Sequence, residues 1–373
     1  MSTHPFFPWK VLAAASAALV LSACGSNGGG GSSTAANQLY SMTNATANTV
    51  VHMSRGSDGS LTVVDSFGSG GAGTNTGPDP LISQGSIVLS SDQRMLFAVN
   101  AQSNSVSSFS INPADGGLTL EAVNATSGTK PVSLAYANDK LYVLFQASRT
   151  VEAYKVNQGV LGASLGSISL PTAPSGTNPT QIELSTDQKY LVVNAGTAGN
   201  QVVTYALNAD GSINPTPTTT TVTSPFNTVF VNANLALITN AGNHSLQPFG
   251  FSNGNLTAIS APVVGDPNGV PCWLVVTPDH KFAYAGNGGS GTISSFTVAS
   301  NGTVTLLNAQ AANEGIAVAG DSWISADGKY LYSAYLAAGK VFAYAIGTDG
   351  SLTRVGSPAV VTSGNTMQGL VGL

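Results

Sequence analysis

Two carboxylates occupy positions suited to proton transfer. Glu183 and Asp321 fall four and six residues ahead of the aspartates of two tight turns, Asp187-Gln188-Lys189 and Asp327-Gly328-Lys329, within short runs that are otherwise largely apolar. A carboxylate drawn into such surroundings needs partners or takes up a proton, and in that state it can serve as a general acid or base. The same placement suits a structural role, binding channel water and the backbone of a neighbouring strand. The matching register elsewhere in the chain holds Ser133, Gln181, Trp273 and Trp323. The tryptophans offer flat faces for a sugar-like ring, or bulk for a core.

Other chemistries find little support. His4 lies in the N-terminal leader, His280 in a turn, His244 in the loop Asn240-Ala241-Gly242-Asn243-His244-Ser245, and His52 in an alternating run, all read as solvated or edge-strand positions. No His, Cys, Asp or Glu set has metal-ligand spacing, so neither a metal nor any other cofactor is expected. The glycine-rich stretch Gly286 to Thr292 precedes no helix, and no Gly-x-Ser-x-Gly elbow is present. Cys272, in an apolar run, reads as an inert buried thiol. With 8% charged residues, a net charge of −5 and scattered Lys and Arg, a nucleic-acid partner is excluded.

The elements that must position these residues repeat along the chain. A second turn recurs as Asp58-Gly59, Asp115-Gly116, Gln158-Gly159, Asp210-Gly211, Asn253-Gly254, Asn301-Gly302 and Asp349-Gly350, at spacings of 57, 43, 52, 43, 48 and 48 residues. Asp-Gly and Asn-Gly between alternating apolar runs mark hairpins. Seven such units predict an all-β, seven-bladed β-propeller over residues 38–373, each blade a sheet that needs its neighbours to bury its faces. The first unit lacks a leading strand and the last residues, Met367 to Leu373, lack a blade. The C-terminal strand is therefore expected to complete the first blade and close the ring. Longer segments, including Gly68 to Pro80 and the Thr/Pro tract from Pro215, are expected on one rim.

Residues 1–23 read as an export signal: Lys10, then an apolar stretch of 11 residues from Val11 to Leu21, too short to cross a bilayer. Leu21-Ser22-Ala23-Cys24 resembles the lipobox of bacterial lipoproteins. That resemblance implies lipid attachment at Cys24, a tether over residues 24–37 and, with Gly25 next rather than Asp, the outer membrane.

The phrases Ser325-Ala326-Asp327-Gly328-Lys329-Tyr330-Leu331-Tyr332 and Thr348-Asp349-Gly350-Ser351-Leu352-Thr353 resemble the seven-bladed lactonase family that includes 6-phosphogluconolactonase and the carboxymuconate-lactonising enzymes. The resemblance implies a funnel whose inner strands carry a His with Arg and Glu nearby. Here the site six residues before each first-turn aspartate, or its counterpart, holds Ser86, Ser133, Gln181, Thr228, Trp273 and Asp321, with no His. Two residues on stand Val88, Ala135, Glu183, Phe230, Val275 and Trp323. Arg55, Arg94, Arg149 and Arg354 map to outer turns or loops. The expectation is a cell-envelope binding or scaffolding module without phosphogluconolactonase activity, meeting an envelope protein or polysaccharide on its long-loop rim. The alternative is a hydrolase or isomerase of an uncharged lactone in the central funnel, with Glu183 and Asp321 as catalytic carboxylates and Gln181, Trp273, Trp323 and Ser133 binding the ligand.

Overall fold

The computed structural model describes residues 37–174 and 176–373; the expected export signal, the expected lipid attachment at Cys24 and nearly all of the expected tether lie outside them. Seven antiparallel sheets form the seven blades. Their innermost strands are, from blade one to blade seven, Gln368–Gly372, Ile87–Leu89, Pro131–Ala137, Gln181–Leu184, Pro225–Asn232, Pro271–Val276 and Ala319–Ile324. Blade one is completed by the C-terminal strand, as Leu39 pairs with Gly372, Tyr40 with Val371 and Ser41 with Leu370. Ring closure is therefore a backbone ladder that leaves no open seam.

Because blades two to seven run inner to outer in chain order, and blade one does so after its C-terminal inner strand, both repeated turns lie on one rim, and the remaining loops and blade-to-blade crossings lie on the other. The turn rim is built by local chemistry. At the first turn Ser90, Ser185, Thr277 and Ser325 each donate a hydroxyl to the aspartate two residues on. The residue after that aspartate is left-handed, with φ of 58° at Gln93, 56° at Gln188, 62° at His280 and 70° at Gly328. At the second turn all seven glycines have φ between 79° and 87°, a region where a side chain costs about 1–2 kcal/mol.

A tyrosine latch ties some of these turns to the preceding blade. Tyr40, Tyr142, Tyr284 and Tyr332, one strand out from the channel, donate their hydroxyls to the carbonyls of Gly116, Gly211, Gly350 and Gly59 in the next blade. The other three junctions pack through side chains alone at this point: Met95 on Gly159, Tyr190 on Gly254 and Leu235 on Gly302.

Candidate functional site

The channel does not stand open at the crossing rim. The segment between blades one and two first hydrogen-bonds along blade one, through Asn44 and Asn48, and then turns inward. Residues 81–85 lie across the channel mouth as a plug tied to blades one, three, four, six and seven. Leu81 O accepts from Gln146 Nε2 at 2.8 Å, and Ser83 Oγ donates to Val132 O at 2.9 Å. Ser83 O accepts from Trp273 Nε1 and from Gln368 Nε2, each at 3.0 Å. The Gln84 side chain brackets the Leu274 peptide at 3.1 and 3.2 Å, and the Gln84 amide donates to Thr180 O at 3.1 Å. Gly85 donates its amide to Asp321 and accepts from Leu134 N at 2.8 Å. A polar backbone can cross this mouth because the Leu81, Ser83 and Gly85 carbonyls and the Ile82, Gln84 and Gly85 amides find partners.

Beside the plug lies a cavity of about 800 Å3 whose walls include Ile82, Phe226, Cys272 and Trp273, with Asp79 and His244 as its ionisable groups. Phe226 and Trp273 meet edge to face with centroids 5.3 Å apart, and the bond from Trp273 to Ser83 O fixes the indole. Burial pushes the Cys272 thiol well above its ordinary value and keeps it unreactive. Five wall residues other than glycine have left-handed backbones: Asp79 (φ 56°), Ile82 (51°), Ser224 (48°), His244 (54°) and Val318 (63°). For β-branched Ile82 and Val318 this is an outlying conformation, of the kind that clusters where surrounding structure over-determines a site.

Asp79 is pushed up to about 7, first by burial and then by the Asp321 carboxyl behind it. Asp321 is itself pushed up to about 7 by burial, against the pull of the amides that bond it; Gly369 N lies 3.1 Å from Oδ2. The two acids form one coupled site, but only Asp79 faces the cavity. His244 Nδ1 donates to the Gly269 carbonyl, which leaves Nε2 as the basic nitrogen.

The residues singled out in the sequence separate into different roles. Ser133 Oγ accepts from Ile182 N, Gln181 Oε1 from Thr228 N and Asp321 Oδ2 from Gly369 N, so each braces the inner strand of the following blade. Glu183 accepts from Gln181 Nε2 at 3.2 Å and lines no part of the cavity; burial alone pushes it up to about 8. It is not brought together with Asp321. Trp273 forms a cavity wall, whereas Trp323 stacks on Tyr332 with centroids 5.8 Å apart and packs against Gly372 of blade one. A break in regular pairing between Ala319 and Ser322 accounts for this divergence from strict alternation.

The histidines depart from the sequence reading. His52 is not solvated but 1% exposed, stacked on Tyr40 and bonded to Gln38 Oε1 at 2.7 Å. His244 is a wall of the cavity. Asp79 was missed altogether, because it stands in a Gly/Pro-rich loop with no periodic pattern; its one signal was the length of that loop.

The model of the lactonase family, described as a seven-bladed β-propeller, matches residues 33–173 and 232–368. The chain belongs to this family. Among solved structures, this lactonase propeller is similar to a candidate 6-phosphogluconolactonase of Bacteroides fragilis, with 18% identity and a TM-score of 0.74 over 90% of this chain and 98% of that one. It is also similar to a periplasmic gluconolactonase of Pseudomonas aeruginosa, with 18% identity and a TM-score of 0.68 over 90% and 99%. Virginiamycin B lyase of Staphylococcus aureus is more distant, with 14% identity and a TM-score of 0.52 over 73% and 83%. At these identities the likeness is one of fold. No curated protein sequence matches the chain.

Proposed function

We propose that this lactonase propeller works in the cell envelope, held there by lipid on Cys24, and that it takes an uncharged, ring-shaped lactone into the rim cavity and opens it with water. The observation that carries the reading is the pairing of Asp79 with His244 in one largely apolar cavity, Asp79 having Asp321 behind it. Two ionisable groups held in different environments divide acid and base roles. His244 Nε2 takes a proton from water as the water oxygen attacks the lactone carbonyl. The ring C–O bond breaks, and its oxygen leaves as a hydroxyl by taking the proton of neutral Asp79. The product is the open hydroxy acid, and a proton returns from His244 to Asp79 through solvent.

Phe226 and Trp273 suit the face of a neutral ring. With no Lys or Arg among the walls, a phosphorylated substrate would go unpaired. The test is release of hydroxy acid from a panel of neutral lactones. Wild-type turnover should fall by about 100-fold or more in Asp79→Asn and in His244→Gln. A wild type that binds lactones without opening them would overturn the hydrolytic reading and leave a binding module. Cys24→Ala should release the protein from membranes; unchanged membrane association would rule out the lipid anchor.

A further inference from the structure

Ile82 is held where an apolar side chain gains little from the fold. It stands 41% exposed, while Leu81 and Ser83 on either side of it are fully buried. Leu81 belongs to the core and Ser83 is bonded to three innermost strands, so the chain between them cannot turn Ile82 inward. Its φ of 51° lies in a region that β-branched residues rarely enter. Asp79 Oδ1 accepts from the Ile82 amide at 3.1 Å, which sets Ile82 beside the acid in the wall of the cavity. A strained, exposed apolar residue in a site is accounted for by what covers it when the site is filled.

The cavity is also larger than a ring requires. Its walls draw on four blades: Ala198 of blade four, Phe226 of blade five, Val270 and Trp273 of blade six, and Val318 at the entry to blade seven. Spaces of about 300–1,000 Å3 enclose drug-sized molecules, and this one, at about 800 Å3, would keep most of its water around a bare lactone ring. Water against such walls finds few partners, and an apolar group that displaces it gains affinity.

We infer that the ligand of this cavity is a lipophilic lactone, whose ring carries a saturated hydrocarbon arm, and that Ile82 is the residue that selects for the arm. With the ring on Phe226 and Trp273 and its carbonyl toward Asp79 and His244, the arm lies over Ile82. Polyhydroxylated sugar lactones are the disfavoured class, because their hydroxyls would lose water against apolar walls. The inference rests on the proposed function for the ring; the arm's share of binding does not require that the ring be opened.

The test is a binding series on the full chain carrying Asp79→Asn, whose side-chain oxygen can still accept from the Ile82 amide. Calorimetry compares γ-butyrolactone, γ-hexalactone, γ-octalactone and gluconolactone. Affinity should rise about threefold per added methylene, so that γ-octalactone binds about 30-fold or more tighter than γ-butyrolactone, with gluconolactone no better than the latter. Ile82→Gly, added to this chain, suits the left-handed backbone; it should weaken γ-octalactone about tenfold and leave γ-butyrolactone unchanged. Should Ile82→Gly fail to fold, Ile82→Asn, which also tolerates this backbone, makes the same comparison. An affinity that does not grow with the arm, or a rise that the Ile82 variants leave intact, overturns the inference. Arm-dependent binding to a wild type that opens none of these lactones would sink the hydrolytic reading alone, and turnover indifferent to the arm would sink this inference alone.

Discussion

On the turn rim, Asp58, Asp92, Asp187, Asp210, Asp279, Asp327 and Asp349 are held below the usual carboxylate range; on the crossing rim, Asp79 and Asp321 are pushed up to about 7. The residue type is the same. Each turn aspartate lies at the surface and accepts a neighbouring hydroxyl and amide, so charge is favoured. The crossing-rim pair sits side by side, Asp321 buried and Asp79 half-buried, and must give up a charge. One rim uses aspartate as a fastener for hairpins. The other holds it in a state suited to chemistry.

The pH dependence of stability tests this contrast with the larger effect. A carboxyl held low in the folded chain adds stability as pH rises from about 2 to 4. One held high removes stability as pH rises from its unfolded value near 4 to its folded value, because the folded chain then binds the extra proton. Asp79, Asp321 and Glu183, which burial pushes up to about 8, act in the second sense. Stability should peak at about pH 4–5 and fall by on the order of 1–3 kcal/mol by about pH 8. Denaturant melts across that range check it, and Asp321→Asn should flatten the descending limb. A stability that climbs steadily from about pH 5 to 8 would erase the distinction between the rims.

A smaller effect sharpens the other side. Tyr332→Phe removes the latch to Gly59 and should cost about 1 kcal/mol without changing ligand affinity, since the turn rim is remote from the cavity. A loss of affinity in that variant would mean that the two rims are not independent.

The fold was legible because its determinants are local and repeated. Asp-Gly turns, alternating strands and a missing first strand each leave a pattern that survives without a partner in view. The candidate site was partly legible. Position six before the turn aspartate did locate Asp321, Gln181 and Ser133 on the inner strands, but their common task is to brace the next blade. Trp323 turned between blades where pairing is irregular. Asp79 and His244 belong to loops, whose placement follows from hydrogen bonds to residues distant in sequence, such as Ser83 to Trp273 across 190 positions. No periodicity encodes such a contact.

The closing strand has a kinetic consequence. Ser41 Oγ bonds Gly369 O across 328 positions of chain, and Gln368 reaches Ser83 across 285. Pairings so distant cost the most loop entropy and form late, after blades built from neighbouring strands have collapsed. The plug beside the cavity gains its bond from Gln368 to Ser83 only in that last step. Partly folded chains should therefore show most of their sheet structure before any affinity for ligand, and a ligand that fits the cavity would slow the ring's opening more than the unravelling of any single blade.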